Sequence, residues 1–118
     1  MQFVKLGDFF SAVRITGPSH NLLQIRLSSS EQEQIVCERL PATGDCRHAP
    51  LDEEEIVRAV QEGVAAANQE LGSRYVISHI KYVENDTRPE AVYGVMAKRI
   101  LQHHHAGGEF ALGSGSRP

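Results

Sequence analysis

One stretch in the middle of the chain, LDEEEIVRAVQEGVAAANQELG (residues 51–72), constrains the fold more than any other. Within it, Asp52 is placed as a helix N-cap, and Gly72 stands at its end, where a left-handed residue ends a helix. Its apolar residues recur at intervals of three and four, the period of an amphipathic helix: Ile56, Val60, Val64, Ala67 and Leu71. The stretch therefore predicts one long helix with a single apolar stripe, which other elements must cover.

Four segments have the composition of β-strands. Residues 8–16 and 22–28 alternate around the turn-forming GPSHN and predict an antiparallel hairpin. The apolar sides expected of these two strands consist of Phe9, Val13, Ile15, Leu23, Ile25 and Leu27. Residues 34–40 alternate more weakly and predict a third strand, while residues 75–83 are rich in β-branched and aromatic residues and predict a fourth.

A second helix follows the last of these strands. TRPE (residues 87–90) has the spacing of a capping box, with Thr87 as the cap and Glu90 closing the pair. The apolar side of the helix, which ends near Leu101, is made of Val92, Tyr93, Met96 and Ile100. The order β-β-β-α-β-α predicts an α+β fold: a three- to four-stranded, mostly antiparallel sheet with both helices packed on one face.

The length of 118 residues fits one domain. We expect a globular domain over residues 1–102 and a flexible tail over residues 103–118, because the apolar periodicity stops near Leu101 and the tail is rich in Gly and Ser. His103, His104 and His105 are consecutive, so on a helix they point about 100° apart and do not converge on one ion.

The tail also contains GGEF (residues 107–110), the letters of the diguanylate cyclase signature. Only eight residues follow it, which leaves no room for the elements that hold nucleotide and metal in that family. We interpret the match as a coincidence, and we expect neither a metal nor a cofactor.

Thiols and imidazoles form the best candidate pocket. A thiol near a strand end, followed by a loop with a second thiol and an imidazole, fits a metal site, a thiolate–histidine pair or a disulfide. The spacing matches no strong zinc pattern, so a buried cysteine with an unrelated loop cysteine is the favoured interpretation. The candidate residues are Cys37, Cys46, Arg47, His48 and His79.

Basic and aromatic residues around the fourth predicted strand form a candidate interaction face: Arg74, Lys81, Tyr82 and Arg88. Alternation places Tyr75, Ile77, His79, Lys81 and Val83 on one side of this strand. The net charge of −3 argues against a nucleic-acid binder driven mainly by phosphate contacts, although this face leaves RNA binding as an alternative. We see no signal peptide and no run of about 20 apolar residues, so we expect a cytoplasmic protein without membrane contact.

The chain resembles the fourth domain of elongation factor G in the order of its elements and the pattern of its helices. The resemblance lies in two segments, EEEIVRAVQEGVAAANQELG and YVISHIKYVENDTRPEAVYGVMAKRI. The resemblance covers about half of the chain. It implies a sheet with two helices and a ribonucleoprotein partner. It carries over no catalytic residue, because that domain has none of its own.

The residues favour a binding or regulatory module over an enzyme. We expect it to act by contact with a protein partner or by self-association, through an exposed strand edge and a sheet face of mixed polarity. A small metal- or thiol-dependent enzyme built on Cys37, Cys46, His48 and His79 is the alternative.

Overall fold

Six strands and two helices make up the part of the chain that the computed structural model describes, residues 1–16, 19–28, 35–40, 51–83 and 90–112. The helices are α1 (Glu53–Leu71) and α2 (Val92–His105). The strands are β1 (Gln2–Leu6), β2 (Phe9–Thr16), β3 (Ser19–Ser28), β4 (Val36–Leu40), β5 (Val76–Val83) and β6 (Ala111–Leu112). Neither helix combines the length and apolar character needed to cross a membrane.

The strands form one mixed sheet in the order β4-β5-β3-β2-β1-β6. Its four central strands are antiparallel, while β4 runs parallel to β5 and β6 parallel to β1. The α+β class with two helices is thus confirmed, but the prediction of a three- to four-stranded, mostly antiparallel sheet is wrong. A helix crossover joins β4 to β5, and such a crossover is the connection that parallel neighbours require.

Both helices pack on the same face of this sheet. Phe10, Ile25 and Ile80 stand side by side across three strands and belong to the buried core. The next row contains Tyr82, whose hydroxyl donates to Glu53 of α1 (3.2 Å), while the Phe10 ring lies 4.7 Å from the His104 ring of α2. This face therefore places the core between the sheet and the helix pair.

The apolar side of β2 is the reverse of the one expected. Phe10 and Ala12 are buried under the helices, so Phe9 and Val13 face the other way. For β3 the expected side is confirmed, with Leu23 and Ile25 fully buried. Because β2 is apolar on both sides, alternation alone does not decide which side meets the helices.

The ends of α1 confirm the local signals. The Asp52 carboxylate accepts hydrogen bonds from the amides of Glu54 (3.0 Å) and Glu55 (3.4 Å), and Gly72 has φ 66°. At the start of α2, Glu90 accepts a hydrogen bond from the Asp52 amide (2.9 Å), which joins the amino ends of both helices. The capping residues predicted at 87–89 lie outside the described residues.

The carboxyl end of α2 extends beyond the predicted stop. The helix ends at His105 rather than near Leu101, and β6 pairs with β1. The Phe110 ring packs against Phe3 (5.8 Å) and Phe10 (5.1 Å). These contacts argue against a flexible tail that starts at residue 103, and the predicted boundary at residue 102 falls within a helix.

Candidate functional site

The two described members of the predicted thiol–imidazole pocket point away from each other. Cys37 pairs with Ile80 and so faces the helices, whereas His79 pairs with Val36 and faces the opposite side of the sheet. Cys46, Arg47 and His48 lie outside the described residues. Within the described ranges, no three His, Cys, Asp or Glu side chains come together as a metal site.

The environment of Cys37 does not favour thiolate chemistry. The thiol is free and about half-buried. Burial, and then the negative charge of Glu53, raise the pKa of Cys37 to about 12. Because the thiolate is the nucleophile and the metal ligand, this side chain stays protonated and unreactive near neutral pH.

The predicted basic and aromatic face is divided between the two sides of β5. Tyr82 is fully buried, and burial together with Glu53 raises the pKa of its hydroxyl. Lys81 points away from the helices, and Arg74 is exposed just before the strand. Arg88 lies outside the described residues. Among the described members of this group, Lys81 is the one that points to the far side of the sheet.

A β-bulge explains why simple alternation fails on β5. Arg26 pairs with His79 and Leu27 with Ile77, so one extra residue of β5 is accommodated between them. Ile77 and Ile80 both face the core as a result. The bulge cannot be predicted from β5 alone because its pairing with β3 creates it.

We call the side of the sheet away from the helices the open sheet face. No described helix or strand packs on it. By the register of the strands its apolar side chains are Val4, Leu6, Phe9, Val13, Leu22, Val36, Leu40 and the buried Val83. Most are partly exposed, and Val36 is 52% exposed. The face therefore presents apolar side chains on both sides of a polar middle row, which consists of Glu38, Lys81, Gln24 and Ser11.

Charged residues lie among these apolar side chains on the β4 and β5 side of the face. Lys81 places its ammonium 4.4 Å from the centre of the Phe9 ring, and the His79 ring meets the Phe9 edge at 6.2 Å. Glu38 stands beside Lys81 across the β4–β5 pair, and Arg26 stands beside His79. The open sheet face therefore carries both signs of charge at its β4 and β5 side.

Sequence reasoning missed most of this surface. The positions of Val4 and Leu6 were not predicted because β1 was not predicted. Phe9 was placed on the side of its strand that was expected to be apolar and buried. A signal was present in FFSAV, residues 9–13, where apolar residues occupy both alternating positions. A strand that is apolar on both sides is typical of a sheet that is covered on both faces.

No protein-family model matches the chain, and no curated protein matches it either. The resemblance to the fourth domain of elongation factor G accordingly stays a prediction.

Proposed function

We propose that the chain is a binding module that associates with a second copy of itself through the open sheet face. The observation that carries the proposal is the set of partly exposed apolar side chains on a sheet face without a described covering element. Soluble monomers rarely expose such patches beyond a few hundred Å², because their burial by a partner is favourable.

The charges favour a second copy as the occupant. A two-fold interface sets the same surface against itself, so a charged surface must carry both signs of charge to avoid self-repulsion. Lys81 and Glu38 lie next to each other on the open sheet face and supply both signs. Two such faces pack with their strands nearly aligned and about 10 Å apart, which would give a helix–sheet–sheet–helix dimer.

The size of the face sets the expected strength. Six strands about 4.8 Å apart, five of them five to ten residues long and β6 two residues long, give a flat area of roughly 600 Å². Standard interfaces bury about 800 Å² of accessible surface on each partner. The area of the open sheet face is smaller than this value, so we expect a reversible dimer that dissociates on dilution.

Val36 and Val95 offer a matched test. Both are valines with similar exposure, 52% and 54%, but Val36 lies on the open sheet face and Val95 on α2. Val36→Glu would bury a carboxylate in the interface, so we expect it to weaken dimerisation at least about tenfold. Val95→Glu should leave dimerisation unchanged. Sedimentation equilibrium from micromolar to millimolar protein measures both.

Two results would contradict the proposal. One is a wild-type chain that stays monomeric at millimolar concentration. The other is a dimer that Val95→Glu weakens as much as Val36→Glu does, which would place the interface on the helices. Circular dichroism of both variants checks that each one is folded, and their similar exposure makes folding defects comparable.

A further inference from the structure

A cleft of about 490 Å³ opens at the end of the sheet where β1 and β3 finish and β5 begins. We call it the end cleft. Its wall includes Lys5, Asp8, Phe10, Arg26, Ser78 and His79. Lys5 and Phe10 come from the helix side of the sheet, and Arg26 and His79 from the open side. The cleft thus curves around the end of the sheet and is accessible from solvent.

Positive charge exceeds negative charge in this cleft. Lys5 holds its ammonium 5.1 Å from the centre of the Phe10 ring, and the described residues place no carboxylate against it. Arg26 has Asp8 at 3.8 Å, but the Asp8 side chain is 77% exposed. Such an exposed pair is weak, so Arg26 can exchange Asp8 for another anion at little cost. The local excess contrasts with the net charge of −3 for the whole chain.

The bulge on β5 adds a third polar group with a defined orientation. The Ser78 hydroxyl donates to the Arg26 carbonyl (3.3 Å) and lies 2.8 Å from Nδ1 of His79. A hydroxyl has one hydrogen, so in this arrangement Nδ1 of His79 carries the proton that the Ser78 oxygen accepts. Nε2 is then the ring nitrogen left for a ligand, and it donates to an anion when the ring is an imidazolium.

Apolar surface completes the cleft. Phe10 and Leu27 contribute carbon to the wall next to these polar groups. Ligand sites typically combine an apolar wall with a few polar groups that fix orientation. From the charges, the bulge and this wall we infer that the end cleft binds a small organic anion, with its carboxylate or phosphate group between Lys5 and Arg26. The inference goes beyond the proposed dimerisation and does not depend on it.

The test uses two simple probes, inorganic phosphate and acetate, followed through the imidazole and amide NMR signals of His79 and its neighbours. We expect saturable shifts with at least one probe. Lys5→Gln and Arg26→Gln should each weaken binding about tenfold, as the loss of one charged contact predicts. Arg58→Gln is the matched control, because it removes the same charge from an exposed arginine paired with Glu55 on α1.

Each titration has a defined outcome. Saturation by phosphate alone assigns the site to phosphate-bearing ligands, and saturation by acetate alone assigns it to carboxylates. Shifts that grow linearly with both probes, or an equal loss in Arg58→Gln, would overturn the inference. Arg26→Lys keeps the charge and should retain most of the affinity, which separates loss of charge from loss of fold. Repeating the titration in Val36→Glu keeps the outcome independent of the dimer.

Discussion

At the scale of single residues, two buried serines differ in what their hydroxyls contact. Ser11, which is 1% exposed, lies in the middle of the open sheet face, and its oxygen has no hydrogen-bond partner among the described residues. Ser78 is 4% exposed, and its hydroxyl contacts both the Arg26 carbonyl and the His79 ring. A buried polar group without a partner carries a desolvation penalty, whereas a bonded one contributes to stability.

The same substitution should therefore have opposite effects at the two positions. We expect Ser11→Ala to raise the free energy of unfolding by about 1 kcal/mol, because it removes an unsatisfied buried hydroxyl. Ser78→Ala should lower it by about 1 kcal/mol, because the Arg26 carbonyl and the His79 nitrogen each lose a partner. Urea unfolding measures both changes. A loss of stability in Ser11→Ala would show that its hydroxyl is bonded in solution.

At the scale of elements, α1 and α2 cross in close contact. A Cβ atom built on Gly63 would collide with the Gly94 carbonyl, and one built on Gly94 would lie 2.5 Å from the Ala59 carbonyl oxygen. The helices touch through backbone at this point. At their far ends, Lys98 and Gln102 of α2 both reach Glu70 of α1 (3.3 and 2.9 Å).

Adding one carbon at the crossing should separate the helices. We expect Gly63→Ala to destabilise the protein by at least about 2 kcal/mol, even though alanine is the better helix former by about 1 kcal/mol. Ala66→Ser, which adds one atom on the exposed side of the same helix, should change stability by no more than about 0.5 kcal/mol. Thermal unfolding measures the stability of both variants and of the wild type. Equal stability of Gly63→Ala and wild type would mean that the helices do not cross this closely.

Elements with local signals could be predicted from the sequence, and elements made by distant pairing could not. The limits of α1 follow from Asp52 and Gly72, which act within one turn of the helix. By contrast, β6 has two residues and exists only through β1, more than 100 positions away in the chain. The open sheet face also depends on pairing, because the register with β3 decides that Phe9 rather than Phe10 faces outward.

At the scale of the whole molecule, aromatic and imidazole side chains from the two ends of the described chain pack against each other. His103 stacks on Phe3 of β1 at 4.2 Å, and its Nε2 donates to the Glu109 carbonyl at 2.6 Å. His105 forms a 2.9 Å hydrogen bond with the Tyr75 hydroxyl, so the consecutive histidines diverge as predicted. Gly108 permits this arrangement, because a Cβ there would collide with the His103 ring. Of the GGEF residues, Gly108 and Phe110 therefore take part in packing.

His104, the middle one of the three consecutive histidines, should make the stability of the protein depend on pH. His104 packs against Phe10 (4.7 Å) and Tyr75 (5.7 Å), and its pKa is lowered by burial first and then by the charges of Lys5 and His105. The unfolded chain therefore takes up a proton at a higher pH than the folded chain. Above the ordinary imidazole pKa of about 6.5 the folded state keeps its full stability, and acidification below that value favours unfolding.

We expect the free energy of unfolding to fall between about pH 7.5 and pH 5.5, and His104→Phe to flatten that slope because its ring packs without titrating. Glu70→Gln is the control. The pKa of Glu70 is lowered by hydrogen bonds to Lys98 and Gln102, so its contribution is present above the ordinary carboxyl pKa and is lost only at more acidic pH. Urea unfolding at each pH gives the slopes. An unchanged slope in His104→Phe, or a slope abolished by Glu70→Gln, would show that His104 is not the cause of the pH dependence.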